Sequence, residues 1–199
     1  MTEANSRKAD YPLEAFFLER WSPRAFIVEP MPDEDLRTIF EAARWAPSSF
    51  NSQPWRFLYA KRDAPDFAKF LGLLIEFNQS WAKNASVLAV LVSKKTFLPS
   101  GKTEPVASHS HSLDAGAAWG YLALQASRLG YAAHGMTGFD IERAAVDLNV
   151  PDDCRVEMAF ALGRPGDKST LPESLRAREL PSSRNPQSTF VFEGGFPTR

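Results

Sequence analysis

Apolar residues recur at helical spacing in several stretches and run together or alternate in others. Leu36, Ile39, Phe40 and Ala43 follow the acidic opening Asp33-Glu34-Asp35. One apolar stripe behind a first turn that suits the helix dipole predicts a helix, which Pro47 stops. Leu13, Phe16 and Phe17 predict a shorter helix over 11–19, and Phe67, Phe70, Leu71 and Leu74 another over 65–77. From 113 to 129 small residues are set among Trp119, Tyr121, Leu122 and Leu124, with charge only at Asp114 and Arg128. That pattern predicts a helix buried all round, closed by Gly130, as a central core element or a dimer seam. A last short helix over 141–148 starts from Asp140 as its cap. Strands are predicted where apolar residues run on: Trp55 to Ala60, the nearly continuous run Ser86 to Val92, and Arg155 to Leu162. Lys94 to Ser112 has no period and reads as a mobile surface loop.

Composition adds bounds to this α+β alternation. With 199 residues, 44% of them apolar, the chain can bury one core and is expected to form a single domain over 1–199. Residues 1–10 are expected to be disordered, and 166–199 to be an extended tail. The formal charge of −1, with acids and bases interspersed, speaks against a nucleic-acid surface and leaves room for a local phosphate site. The polar amino terminus and the lack of an 18-residue apolar run predict a cytoplasmic protein with no membrane role. Cys154 is the single cysteine, so no internal disulfide forms, and it reads as a small hydrophobe. His109 and His111 lie in a polar loop without a third ligand, so no metal is expected.

Two stretches carry more chemistry than connectors need. Arg20-Trp21-Ser22-Pro23-Arg24 alternates, so in an extended segment two guanidiniums and a hydroxyl share one side and can grip a phosphate or a ring carbonyl. Pro47, Ser48, Ser49, Asn51, Gln53 and Pro54 crowd a helix-to-strand corner flanked by Trp45 and Trp55. Amides that donate and accept, next to flat apolar walls, suit a planar amide-rich ring.

Together these stretches resemble the signature of the FMN-dependent nitroreductase family. The resemblance runs from Tyr11 to Phe192 and implies an α+β fold, a mostly antiparallel sheet flanked by helices, built as an intertwined homodimer. It further implies that Arg20 and Ser22 hold the FMN phosphate, with Trp21 between them, and that Arg24 faces the isoalloxazine pyrimidine. In the family the corner of Pro47, Ser48, Ser49, Asn51 and Gln53 reaches the flavin of the other subunit. Asn78 corresponds to a position that hydrogen-bonds the pyrimidine; some members carry Lys where Trp81 stands, so Arg24 is expected to supply the positive charge. Met136, Thr137 and Gly138 correspond to the segment whose backbone faces flavin N5, with His134 beside it as a structural residue. The family's carboxy-terminal segment adds a strand to the partner, for which Ser188 to Phe192 is the β-prone candidate. Arg184 matches its phosphate arginine, with Arg176 and Arg178 as further candidates. No Gly-x-Gly-x-x-Gly follows a strand, so a dinucleotide visits rather than resides. The implied activity is ping-pong hydride transfer from NADH or NADPH to nitroaromatics, quinones or related acceptors, with no side-chain acid or base. The alternatives are a specialised flavin enzyme (dehalogenation, azoline oxidation or flavin degradation) and a non-catalytic flavin-binding protein.

Overall fold

In the computed structural model, which describes residues 7–197, four strands form one antiparallel sheet: β1 (Trp55–Lys61), β2 (Val87–Lys94), β5 (Ala132–Met136) and β6 (Cys154–Gly163), in the order β1-β2-β6-β5. Strand β2 shows why its sequence is continuously apolar. Val87, Ala89 and Leu91 pack on one face of the sheet, and Leu88, Val90 and Val92 on the other. Helices cover both faces, so each side chain of β2 up to Ser93 is buried. The first face meets α2 (Asp33–Arg44) and the long α5 (His111–Arg128), through Leu36, Ile39, Ala115, Ala118, Leu122 and Ala126. The second meets α3 (Phe67–Gly72), α4 (Glu76–Ala82) and α6 (Ile141–Asp147), through Phe67, Phe70, Trp81, Ala82 and Ala144.

A bulge interrupts the β2–β6 ladder. Leu91 pairs with Met158 but Val92 with Val156, so Glu157 is the extra residue and the alternation flips across it. Val156 thereby joins the second core, while Glu157 accepts hydrogen bonds from Ser93 Oγ and, at 2.6 Å, from Ser112 Oγ at the start of α5.

Several sequence expectations need correction. The helix expected over 65–77 is two helices, broken after Gly72 where Leu74 bridges to Phe139 and the Ile75 N–H donates to the Gly138 carbonyl. Asn78 therefore lies inside α4. The amino-terminal helix is a single turn, α1 (Phe16–Glu19). The loop 94–112 contains a hairpin of β3 (Thr96–Phe97) and β4 (Val106–Ala107), and α5 begins at His111. Strand β5 went unread because Ala-Ala-His-Gly-Met lacks β-branched residues; its pairing with β6 imposes the conformation. Ser188 to Phe192 holds a short 3₁₀ turn at Gln187–Thr189 and no strand among the described residues. Upstream, α7 (Glu173–Arg176) docks the tail on its own chain, with Leu171 and Leu175 fully buried. Of the amino-terminal residues expected to be disordered, the first six lie outside the described ones. Arg7 is held by hydrogen bonds to the carbonyls of Leu18, Arg20 and Ser182. No described helix is long and apolar enough to cross a membrane.

Candidate functional site

The basic turn leaves α1 at Arg20 and is clamped beside β6. Ile27 N–H donates to the Arg164 carbonyl and Gly166 N–H to that of Ala25. A Cβ on Gly166 would stand 2.9 Å from the Phe26 carbonyl carbon, so only glycine permits the approach. Held this way, Arg20, Ser22 and Arg24 face a cavity of about 270 Å³ whose other walls include Arg7, Arg178 and Arg184. Five guanidiniums line it and no carboxylate does among the described residues. Burial, and then Arg184, pull the Arg20 guanidinium below its ordinary value. Arg7 is lowered by burial, Arg184 and Arg20 in turn. Arginines that depress one another in a shared cavity form a site poised for a multivalent anion.

A trough of about 600 Å³ adjoins this cavity, and Arg20 and Ser22 line both. Its remaining walls come from α5 (Trp119, Gly120, Ala123, Leu124), from Gly135, Met136 and Thr137 at the end of β5, from Met158 on β6 and from Phe17. A Cβ on Gly135 would lie 2.3 Å from Met158 Cε, so a larger residue would have to displace that methyl from the trough wall. Asn78 is buried, and its Nδ2 donates to the Gly138 carbonyl at 2.9 Å. Asn78 is thus tied to the segment that follows Thr137. Trp81 is 1% exposed, packed in the core against the His134 ring at 4.6 Å between centroids.

His134 lines the arginine cavity, and its Nδ1 lies 2.8 Å from the Pro23 carbonyl, which can only accept. Burial lowers its pKa to about 4, partly offset by the Pro23 bond and reinforced by Arg24. The ring is neutral at neutral pH.

The corner from Pro47 to Gln53 lies away from both cavities. Phe50, Asn51 and Gln53 have φ of 53°, 52° and 46°, with Ser52 between the last two at φ −70°; the positive φ values cost non-glycine residues energy and are kept only where surroundings over-determine them. The surroundings do so. Ser49 N–H donates to Asp114 Oδ2, Gln53 N–H to Ser48 Oγ, and Arg56 to the Gln53 carbonyl. Phe50 stacks on Phe97 of the β3–β4 hairpin at 5.3 Å. Asn51 and Gln53 nevertheless stay exposed.

Of the candidate residues, the structure brings together Arg20, Trp21, Ser22, Arg24 and Arg184 at the cavity, and Met136 and Thr137 at the trough. It leaves the corner, Asn78 and Gly138 outside both linings. Arg178 joins Arg184 at the cavity, whereas Arg176 turns back to the Leu171 carbonyl. Arg7, Trp119 and Met158 went unread: Arg7 sits in a polar amino terminus and the other two carry no local motif. Away from the site, Cys154 sits on β6 with its thiol pushed up by burial, and His111 is bonded to Ser93 Oγ at 2.7 Å.

Known proteins resemble this chain in sequence and in fold. The sequence profile of the Nitroreductase family matches residues 18–77 and 69–164. A Thermus thermophilus protein named NADH dehydrogenase is 28% identical over 194 residues, covering 84% of this chain and 91% of that one. A Streptomyces coelicolor protein, provisionally named NADH dehydrogenase/NAD(P)H nitroreductase, is 33% identical over 170 residues, covering 76% and 82%. Among solved structures, one described as an oxidoreductase containing FMN is similar over 100% of both chains, with a TM-score of 0.94 and 50% identity. From the basic turn through the strand β6 that the profile reaches, the chain belongs to the nitroreductase family.

Proposed function

We propose that the chain is an FMN-dependent oxidoreductase that uses NADH or NADPH to reduce small acceptors such as nitroaromatics or quinones, and that it works as a homodimer. The observation that carries the reading is the five-arginine cavity beside the apolar trough, the two sharing Arg20 and Ser22 as walls. A phosphate ester on a flat heterocycle matches both compartments. FMN, when bound, supplies the redox chemistry: acceptance of a hydride from a nicotinamide and its delivery to a second substrate in the same cleft.

The chain's own residues bind, orient and shield. Arg20, Arg178 and Arg184 offer charge-assisted hydrogen bonds to a phosphate, Arg7 adds its charge while bound to the carbonyls of Leu18, Arg20 and Ser182, and Trp119, Leu124, Met136 and Met158 exclude water from the trough. Arg24, held at the cavity wall, is the cation assigned to the ring's pyrimidine edge. His134 stays neutral and shapes the turn through Pro23, and the reading needs no side-chain acid or base.

The dimer is supported by what one protomer leaves uncovered. On α5, Leu113 is 76% exposed beside the open positions Gly116 and Gly120, and Phe190, Val191, Phe192 and Phe196 are exposed in the tail. The stiff corner that touches neither cavity of its own chain is assigned to the partner's site. Purified protein loaded with FMN should keep flavin absorbance through gel filtration as a dimer, and anaerobic NADH or NADPH should bleach it. A colourless protein after loading refutes the cofactor assignment; a yellow one that neither nucleotide bleaches refutes the enzyme.

A further inference from the structure

Glu179 is 6% exposed, and nothing in the cavity wall accounts for a buried carboxylate beside so many arginines. Its Oε1 accepts two consecutive backbone N–H groups of the basic turn, from Arg24 at 2.6 Å and from Ala25 at 2.8 Å. Its Oε2 lies 3.8 Å from Arg24 Nη1 and has no hydrogen-bond partner, and Arg24 Nε is likewise buried and unpaired. The contact spans 155 positions of sequence. It marks where the tail, seated in the core by Leu171 and Leu175, meets the turn after α1. Immediately beyond it Leu180, Ser182 and Arg184 form a wall of the arginine cavity, and Arg178 precedes it. Arg7, bonded to the Ser182 carbonyl, ties the same wall from the other end of the chain.

We propose that Glu179 is a positioning residue for the phosphate site: by taking the Arg24 and Ala25 N–H groups it sets Arg178 and Arg184 against Arg20 and Arg24. The cavity then closes within one protomer from four segments: Arg7, the basic turn, His134 of β5 and the tail. The carboxylate is also the counter-charge beside which mutually repelling guanidiniums are held before an anion arrives. Two unsatisfied buried N–H groups would release the turn, so the contact acts through its acceptor as much as through its charge.

The inference rests on the FMN reading, and FMN paired with riboflavin, its phosphate-free counterpart, separates the two. Wild type should bind FMN more tightly than riboflavin. Glu179→Ala should weaken FMN by about tenfold or more while riboflavin changes by less than about twofold. Trypsin should cut Glu179→Ala faster after Arg178 and Arg184. Glu179→Gln, which keeps one acceptor oxygen in the same shape, should return FMN affinity to within about threefold of wild type and restore protease resistance. An Ala variant that loses thermal stability but keeps FMN affinity, or loses FMN and riboflavin equally, overturns the inference alone. If Glu179→Ala does not fold, Glu179→Gln decides, and an FMN loss in it as large as that of Arg20→Ala overturns the proposal. A wild type that does not distinguish FMN from riboflavin overturns the phosphate reading and the inference with it.

Discussion

Asn78 and Gly138 are matched to each other across sixty positions: the Asn78 amide donates to the Gly138 carbonyl at 2.9 Å, and a Cβ on Gly138 would stand 2.7 Å from that same nitrogen. Ile75 Cδ1 closes the other side at 2.7 Å. The pair fixes the chain directly after Met136 and Thr137, which line the trough.

Gly138→Ala is therefore expected to force Asn78 and Ile75 apart and to destabilise the fold by about 1–3 kcal/mol, as overpacking does. Asn78→Ala removes one of the two donors to the Gly138 carbonyl, the Ile75 N–H remaining, and should cost about 1 kcal/mol. Thermal unfolding of both variants measures this. Unchanged midpoints would show that the segment tolerates either loss and that the clamp does not fix it.

A second expectation concerns pH. His134 has a folded pKa of about 4 against an ordinary 6.5. The sign follows from proton binding: between those values the unfolded chain takes up a proton that the folded chain refuses. The contribution is fully present above pH 6.5 and is lost as pH falls toward 4, by on the order of 3 kcal/mol at most. Denaturant unfolding of His134→Gln across that range should show a shallower loss than wild type. Parallel curves would remove His134 as the cause.

The arginines of the cavity should separate stability from binding. Burial and the neighbouring Arg184 disfavour charge on Arg20, so Arg20→Ala should leave the flavin-free protein at least as stable as wild type. FMN affinity should nonetheless fall by roughly ten- to a hundredfold, since each charge-assisted hydrogen bond contributes about 1.5–3 kcal/mol. Calorimetric unfolding without FMN and flavin-fluorescence titration test the two halves. A destabilised variant with normal affinity would mark Arg20 as structural.

The sequence made the sheet and the basic turn legible for definite reasons. Val87 to Val92 had to be buried on both faces, and Arg20, Ser22 and Arg24 alternate in an extended segment, which puts them on one wall. What stayed hidden depends on contacts distant in sequence. Strand β5 exists because β6 pairs with it, and Arg7 reaches the cavity, and Glu179 the turn that forms its wall, only through contacts distant in sequence. The break in the 65–77 helix was hidden likewise, since it answers to Phe139. Local pattern reports one segment's own preference and carries no trace of such partners.

Asn51 gives the sharpest test of the corner, because its backbone and its side chain can be separated. At φ 52° an alanine is strained while a glycine is not. Asn51→Gly should therefore keep the melting temperature and the dimer, whereas Asn51→Ala should lose about 1 kcal/mol of stability. If the exposed amide serves the partner's flavin site, both variants should weaken FMN binding or slow reduction by NAD(P)H to the same degree, since both lack the amide. If the residue only shapes the turn, glycine should behave as wild type in every respect. FMN titration and anaerobic reduction of the glycine variant decide between them: normal binding and normal reduction in that variant would end the cofactor role of the Asn51 side chain, and leave its positive φ as a feature of the fold.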